Sequence, residues 1–555
     1  MTPRWHAGQP VPPDDLTLDP TRTQPGAASC RSDHMVTPYI ELGPLTKRCV
    51  TDVPVSTLFY GDNLDVLRKR IKDERIDLCY IDPPFNSKRN YNQIYNNIGI
   101  EDRAQAQAFV DTWSWNTTAN EGFAAILDNE GGRFRPQTID LIKGLRPVLK
   151  DGPLFAYLVS MTLRITEIHR VLKPTGSFYM HCDPKVSHYL KLVLDTVFCS
   201  QGGDFVNEII WHYTGGGRSK RYFSRKHDVL FWYSKGNTAR FNLDAMRVPY
   251  KETSGFAKGG ITSKAGKKYE PNPLGTPVDD VWDIPIINPL SKERLGYPTQ
   301  KPEALLERII QASTNAGDVV LDAYCGCGTT VDVAQRLGRE WIGIDITYQS
   351  ISLVLRRLEG KAGINWPSIL KTITVDGIPR DMESVVALAH KKDDRLRKEF
   401  EKWAVLTYTN NRGAIHEKKG ADSGIDGIAY FRTNSTENAS MVIQVKSGGV
   451  GRGDVAKLRG DMAREGAVMA TLITLEQPTG PMITEAKSAG QYHHDLMGRN
   501  YDCIQIVTAQ EIVEGNRRLD LPMSLEVVKK AQAHAGGEQL GLLGGTGSDE
   551  NEDDE

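Results

Sequence analysis

Val319-Val-Leu-Asp-Ala-Tyr-Cys-Gly-Cys-Gly-Thr-Thr330 decides the fold of this chain. An apolar β-run ends at Asp322, two glycines follow in the bend, and a helical pattern starts near Thr330. Gly326 and Gly328 permit a tight turn and a close approach of backbone to a ligand. The next strand, Glu340–Ile346, carries Asp345 about 20 residues beyond the loop, placed to accept hydrogen bonds from ribose hydroxyls. These are the parts of a nucleotide-binding strand–loop–helix unit. No Gly-x-x-x-x-Gly-Lys-[Ser/Thr] pattern accompanies it, which sets an NTPase aside. Alone, the glycine loop is compatible with any nucleotide binder.

Upstream of the loop the same alternation of strands and helices begins at Ser56. Thr57–Tyr60 reads as a strand, Leu64–Ile71 as a helix and Ile76–Ile81 as a buried strand. Ser160–Leu172 reads as a helix stopped by the turn Lys173-Pro-Thr-Gly176. Ser177–His181 is a strand, His188–Phe198 a helix, and Phe205–Tyr213 and Asp228–Tyr233 are further strands. After an irregular stretch rich in Gly, Pro and Lys (235–291), Lys301–Thr314 reads as the helix that leads into the glycine loop. The alternation predicts a parallel or mixed sheet with helices on its faces. A second unit follows the charged stretch Lys391–Lys398, as helix Glu399–Leu406, strands Ile425–Phe431 and Met441–Val445, helix Gly453–Glu465 and strand Ala467–Thr474.

The buried strand Ile76–Ile81 runs into Asp82-Pro83-Pro84-Phe85. An aromatic amine is a poor nucleophile, because its lone pair is delocalised into the ring. The Asp82 carboxylate and the Pro83 carbonyl form an acceptor pair that can hold both amine hydrogens and orient that lone pair. The prolines stiffen the loop and remove competing N–H donors. Phe85 can stack on a base swung out of its helix, as chemistry on a base requires. An ordinary Asp-Pro turn at a strand end is the competing reading.

Several blocks in fixed order carry a specific resemblance over residues 56 to 358. They are Tyr60-Gly-Asp-Asn-Leu-Asp65, Asp82-Pro-Pro-Phe85, Gly176-Ser-Phe-Tyr-Met-His-Cys-Asp183 and Asn207-Glu-Ile-Ile-Trp211. Lys226-His-Asp-Val-Leu-Phe-Trp-Tyr233, Tyr297-Pro-Thr-Gln-Lys-Pro302 and the glycine loop complete them. Together they resemble the DNA amino-methyltransferases of the β arrangement, in which the catalytic block precedes the cofactor block. The resemblance implies an α/β, Rossmann-like S-adenosylmethionine-dependent methyltransferase fold over 51–385, with an inserted target-recognition region over 212–295. It implies S-adenosylmethionine as cofactor, with Asp62 on its adenine, Thr299, Lys301, Gly326 and Gly328 on its methionine part, and Asp345 on its ribose. Asp322, Tyr324 and Thr329 complete the expected cofactor pocket. His181 and Asp183 are read as a satisfied strand-end pair. The family's Asp-Pro-Phe-x-Gly-Ser-Gly stands here as Asp-Ala-Tyr-Cys-Gly-Cys-Gly; Tyr324 keeps an aromatic, Cys327 is close in shape to Ser, and both cysteines are read as small loop residues. Asp-Pro-Pro-aromatic resembles the adenine-N6 enzymes more than the cytosine-N4 enzymes, and cytosine stays open. The implied chemistry is direct in-line methyl transfer onto adenine N6, without a covalent enzyme intermediate.

Gly215–Lys226 holds the cations Arg218, Lys220, Arg221, Arg225 and Lys226 around Tyr222 and Phe223. Cations suit phosphates, arginine reads guanine edges, and aromatics can fill the gap left by a flipped base. Lys258–Lys268 adds a second basic run.

In the second unit, Gly420-Ala-Asp-Ser-Gly-Ile-Asp-Gly427 is followed by Gln444-Val-Lys446. Residues i and i+2 of a strand share a face, so Gln444 and Lys446 point the same way, and Asp426 approaches them across a hairpin. An acid and a polar oxygen can hold Mg²⁺ while the lysine orients water and stabilises phosphorane charge. The order resembles the Mrr-like branch of the PD-(D/E)xK endonucleases, over 395–515, in a C-terminal α/β restriction-endonuclease-like domain. That resemblance implies Glu401 as a further acid, with Asp422 a weaker one. A DNA-binding remnant without cutting is the alternative, which would leave an orphan methyltransferase of adenine N6 or cytosine N4.

Composition bounds the rest. The chain has 555 residues, 39% hydrophobic and 25% charged, ample for buried cores and ordinary for a soluble protein. Its net charge is -2, but Asp549–Glu555 carries six acids, so the remainder sums to +4 and local patches must carry any nucleic-acid argument. Residues 1–50 read as a disordered leader and 536–555 as a disordered acidic tail. The eight cysteines form neither a CxxC zinc pattern nor a disulfide framework. No apolar run is long enough to span a membrane, and Met1–Asp15 lacks an export signal. A cytoplasmic protein is expected, with double-stranded DNA as partner, a homodimer left open and no membrane.

Overall fold

In the computed structural model, the structure describes residues 56–84, 113–214, 220–251, 253–264, 266–288, 290–295, 297, 299–390, 394–416, 424–434 and 437–523, and the backbone of Arg89–Ile94 and Gln105–Asp111. The expected leader and tail, together with Phe85, Arg218 and Asp422, lie outside the described residues.

Among the described residues the first sheet has nine strands. In chain order they are β1 (Thr57–Tyr60), β2 (Ile76–Ile81), β3 (Leu172–Cys182), β4 (Asp204–His212), β5 (His227–Ser234), β6 (Val281–Asp283), β7 (Val319–Asp322), β8 (Glu340–Asp345) and β9 (Thr374–Asp376). Their spatial order is β6-β4-β5-β3-β2-β7-β8-β1-β9. Only β5 pairs antiparallel, with β3 and β4 on either side; the other pairs are parallel. Parallel strands need helices on both faces. The side chains alternate accordingly: Cys79 and Ile81 of β2 enter one apolar cluster with Leu321 of β7 and Ile344 of β8, while Leu78 and Tyr80 enter another with Val320 and Trp341.

The helices that position the site are α1 (Asn63–Arg70), α2 (Pro153–Val171), α3 (Pro184–Val197), α4 (Glu303–Ser313), α5 (Thr329–Arg336) and α6 (Tyr348–Ala362). The expected turn at Lys173–Gly176 is not a separate element. It is looped out within β3, whose register on β2 steps from Ile76↔Leu172 to Leu78↔Ser177.

The C-terminal domain begins with helix α7 (Asp394–Tyr408). Its five-stranded sheet runs in the order β10 (Ala414–Ile415), β11 (Gly427–Arg432), β12 (Asn438–Lys446), β13 (Met469–Thr474) and β14 (Ile504–Thr508). The first three strands pair antiparallel and the last two join in parallel. Helix α8 (Arg452–Arg464) crosses between β12 and β13. The expected boundary at 385 falls inside the helix Met382–Ala389, whose Val385 and Leu388 pack with Phe400, Trp403 and Ile443 of the C-terminal cluster. Tyr348 of α6 belongs to the same cluster. Among the described residues no helix is long and apolar enough to cross a membrane.

Candidate functional site

Motifs far apart in the sequence meet on adjacent strand ends. Asp322 of β7 lies in register with Tyr80 of β2, two residues before Asp82, and Asp345 of β8 lies in register with Tyr60 of β1. Four neighbouring strands thus each deliver one carboxylate to the carboxyl edge of the sheet: Asp82, Asp322, Asp345 and, just past β1, Asp62. This is the edge at which open α/β sheets bind ligands.

The glycine loop is held by this ring of acids. Gly326 N donates to Asp345 Oδ2 at 2.9 Å, Thr347 N donates to Asp345 Oδ1 at 2.9 Å, and Tyr324 N donates to Asp322 Oδ1 at 3.0 Å. Gly326 and Gly328 have φ of 48° and 75°, where a Cβ is strained. Space also requires glycine there, since added Cβ atoms would stand 3.2 Å from the Tyr297 ring and 2.8 Å from Val354. Cys325 and Cys327 are buried, as small loop residues should be. Burial raises Asp322 to about 7, with Asp82 and Asp345 adding to the rise. Burial raises Asp345 to about 6 against the hydrogen bonds from Thr347 and Gly326. An edge this rich in acid suits a ligand that carries positive charge.

The other expected cofactor residues are placed as follows. Asp62 caps α1 by accepting from Leu64 N at 2.7 Å, and its carboxylate takes Arg164 Nη2 at 2.9 Å. Asn63 donates to the Ala323 carbonyl of the glycine loop at 2.8 Å and accepts from Arg164 Nε at 2.6 Å, so the start of α1 and the loop form one connected unit. Tyr324 is half-buried, with its hydroxyl 3.8 Å from Met161 Sδ. Thr299 is exposed at φ 62°, a conformation rare for a β-branched residue and one that strained functional loops retain. Lys301, expected on the cofactor's methionine part, makes its ion pair with Asp82. Thr329 is buried and accepts from Arg357 Nη1 at 3.0 Å, which turns it toward the helix packing behind the loop.

Arg357 is a structural support of the loop that the sequence did not single out. It is 4% exposed and reaches Asp332 at 3.1 Å and Glu303 at 2.9 Å, so it ties α4, α5 and α6 together beneath the loop. A lone arginine in a helix gives no sequence signal of this. Arg357→Leu would leave the buried Asp332 with only the longer 3.9 Å pairing to Lys361, and an expected loss of about 3 kcal/mol of stability is measurable by denaturant unfolding.

His181 and Asp183 do not pair with each other. His181 is fully buried between the Tyr80 hydroxyl (3.0 Å) and Asp228 (3.1 Å), while Asp183 caps α3 through Lys185 N at 2.6 Å. Antiparallel β5 supplies Asp228, and no local pattern predicts which strand lies beside β3. Burial is the largest single influence on Asp228 and would raise it, but the hydrogen bond and charge of His181, the charge of Lys301 and the hydrogen bond from Tyr213 together hold the carboxyl low.

Strands β4 and β5 form a hairpin whose tip lies on the same edge of the sheet as Asp82, because β4 runs parallel to β2. The tip presents Lys220, Arg221 and Arg225 exposed and Lys226 half-buried. Phe223 is 99% exposed, and the Arg225 guanidinium lies 5.4 Å from the Tyr222 ring centre.

In the C-terminal domain, Asp426 precedes β11 and accepts from Val445 N at 2.7 Å, between Gln444 and Lys446 on β12. Gln444 is buried; its amide nitrogen donates to the Gly424 carbonyl, and its Oε1 has no hydrogen-bond partner among the described residues. An orphaned buried amide oxygen beside a carboxylate fits the oxygen-only preference of Mg²⁺. Glu401 lies on α7 one turn before Val405, the side chain that packs against Gly427, so it shares the helix face turned toward β11. Among the described residues no group of three or more His, Cys, Asp or Glu is gathered to hold a metal.

A family described as DNA methylase matches residues 76–356, and one described as restriction endonuclease matches 396–514. The chain is 30% identical over 305 residues to the DNA adenine methyltransferase YhdJ of Escherichia coli (strain K12), covering 55% of this chain and 82% of that one. It is 35% identical over 198 residues to the Type II methyltransferase M.HpaI of Haemophilus parainfluenzae, covering 36% of this chain and 58% of that relative's length. Among solved structures, the cytosine-N4-specific PvuII DNA methyltransferase aligns at 16% identity with a TM-score of 0.34, over 58% of this chain and 95% of that one. The M1.HpyAVI–SAM complex aligns at 17% identity with a TM-score of 0.30, over 54% and 98%.

Proposed function

Because the chain belongs to the DNA methylase family and carries an Mrr-type restriction endonuclease domain behind it, we propose that it methylates adenine N6 in double-stranded DNA and cuts DNA with its C-terminal domain. The observation that carries the methylation reading is the arrival of Asp82 and the glycine loop on neighbouring parallel strands. Asp82 and the Pro83 carbonyl accept the two hydrogens of the target amine and turn its lone pair outward. Lys301, paired with Asp82, fixes the carboxylate. Holding the reacting groups in one orientation supplies much of the rate. S-adenosylmethionine, when bound, supplies an activated methyl group on a positively charged sulfur. Asp62, Asp345 and the loop backbone are the groups that hold it, and their negative charge suits it. The exposed Phe223 and its cationic neighbours engage the duplex from which the base is flipped.

For the C-terminal domain, Asp426, Gln444 and Glu401 would hold Mg²⁺, and Lys446 would orient water and balance phosphate charge. The fewer fixed charges of a Gln-containing site favour the second reading, in which this domain only binds DNA.

The test incubates the purified protein with unmethylated and premethylated plasmid, with and without Mg²⁺ and S-adenosylmethionine, and scores cuts and methylated bases together. Cofactor-dependent N6-methyladenine with Mg²⁺-dependent cutting of one plasmid form supports the proposal. Methyladenine without cutting selects the DNA-binding alternative, and N4-methylcytosine reassigns the base.

Cofactor affinity should depend on pH with a definite sign. Asp345 at about 6 and Asp322 at about 7 lie above the ordinary carboxylate value. Ionising them opposes folding, so the free chain loses stability as pH rises from about 4 through those two values. The cationic cofactor favours the ionised forms, so its affinity should rise over the same window. Calorimetric titration across it, with Asp345→Asn flattening the dependence, checks both signs.

A further inference from the structure

An unassigned acid lies beside Gln444. Asp461 is on α8, whose inward stripe is otherwise the apolar Val455 and Leu458, and it is 3% exposed. Its Oδ1 pairs with Arg464 Nη1 at 2.9 Å, while Oδ2 has no hydrogen-bond partner among the described residues. A Cβ built on Gly424 would stand 2.8 Å from Gln444 Nε2, 3.1 Å from Asp461 Oδ2 and 3.7 Å from Lys457 Nζ. The Gln444 amide and the Asp461 carboxylate therefore converge on one small volume beside the backbone that leads into Asp426. Each brings a buried oxygen without a partner, Gln444 Oε1 and Asp461 Oδ2. A buried carboxylate oxygen left unsatisfied is costly, and it has no packing role that a Leu or Val would not fill better.

We infer that Asp461 is an acidic ligand of the divalent cation in the nuclease domain. It stands on α8 beside Gln444, on the far side of the sheet from Glu401 of α7, and there joins Asp426 to supply the negative charge that the neutral Gln444 withholds from β12. Arg464 holds Oδ1 and so leaves Oδ2 turned to the metal. Oxygen ligands of this kind select Mg²⁺ or Mn²⁺ over softer metals. The inference rests on the reading of the C-terminal domain as a metal-dependent nuclease.

The experiment titrates Mn²⁺ into the full chain by calorimetry and follows its melting with and without the metal. The parent, Asp461→Asn, Asp461→Glu and Asp426→Ala are compared. Asp461→Asn should bind Mn²⁺ at least tenfold more weakly, lose the metal-induced rise in Tm, and melt without metal no lower than the parent. Asp461→Glu should recover part of the binding. Equal Mn²⁺ affinity in the parent and Asp461→Asn, with Asp426→Ala impaired, would overturn the assignment of Asp461 alone. Failure of the parent to bind Mn²⁺ would sink the nuclease reading and this inference with it.

Discussion

Asp82→Ala is expected to lower methyl transfer by at least about 10²–10³-fold, the range seen when one preorganised polar contact to a reacting group is removed, while S-adenosylmethionine still binds. The separation follows from the geometry. Asp82 ends β2, whereas the groups assigned to the cofactor end β7, β8 and β1 and make their own hydrogen bonds to the loop, to Arg164 and to Thr347. Removing Asp82 takes one acceptor from the amine and the carboxylate partner from Lys301, which is buried. Asp82→Asn keeps the shape and one carbonyl acceptor, so it should retain more activity than Asp82→Ala. Single-turnover methylation read beside calorimetric cofactor binding distinguishes the outcomes. A loss of cofactor affinity as large as the loss of rate would show that Asp82 belongs to the cofactor pocket.

Lys446→Ala should abolish plasmid cutting and leave methylation at the parent's level. Lys446 stands at the end of β12, two residues beyond Gln444 on the same strand face, with the Asp426 carboxylate on the Val445 N–H between them. Lys446 is the one cationic residue of β12. An effect of about 10²–10³-fold or more is expected if the ammonium stabilises developing charge. Cutting that persists in Lys446→Ala would remove this domain's assignment, whatever the methylation result.

What could be read from the sequence was whatever the backbone demands locally. Gly326 and Gly328 announce a loop that needs positive φ, Asp345 follows at the spacing of one helix and one strand, and Asp82 follows a strand with no charged residue after Asp77. The groups that hold these in place were not legible, because each acts across the fold. Arg164 reaches Asp62 from a helix about a hundred residues away, Arg357 reaches back to Asp332 and Glu303, and Glu399 accepts from Tyr348 N at 2.9 Å in another domain. A charged residue on a helix looks the same in sequence whether it faces water or a buried partner. Strand order was not legible for the same reason: the reading gave β5 as a strand but not as the neighbour of β3, so Asp228 was not seen as the partner that satisfies His181. Lys301 shows a third limit, since a motif position carries a side chain's identity but not which of two nearby acids it will choose.

Helix α7 has a consequence for heredity. Its Glu399 covers the first free N–H of α6, and its Phe400 and Trp403 share a core with Tyr348 and Leu388. A premature stop codon after the methylase half would uncover that core, so on the proposed function methylation would be damaged along with cutting. On that reading a lineage can lose cutting safely through single-letter changes at Asp426 or Lys446, but not by discarding the gene's distal end. The two halves are passed on as one folded inheritance.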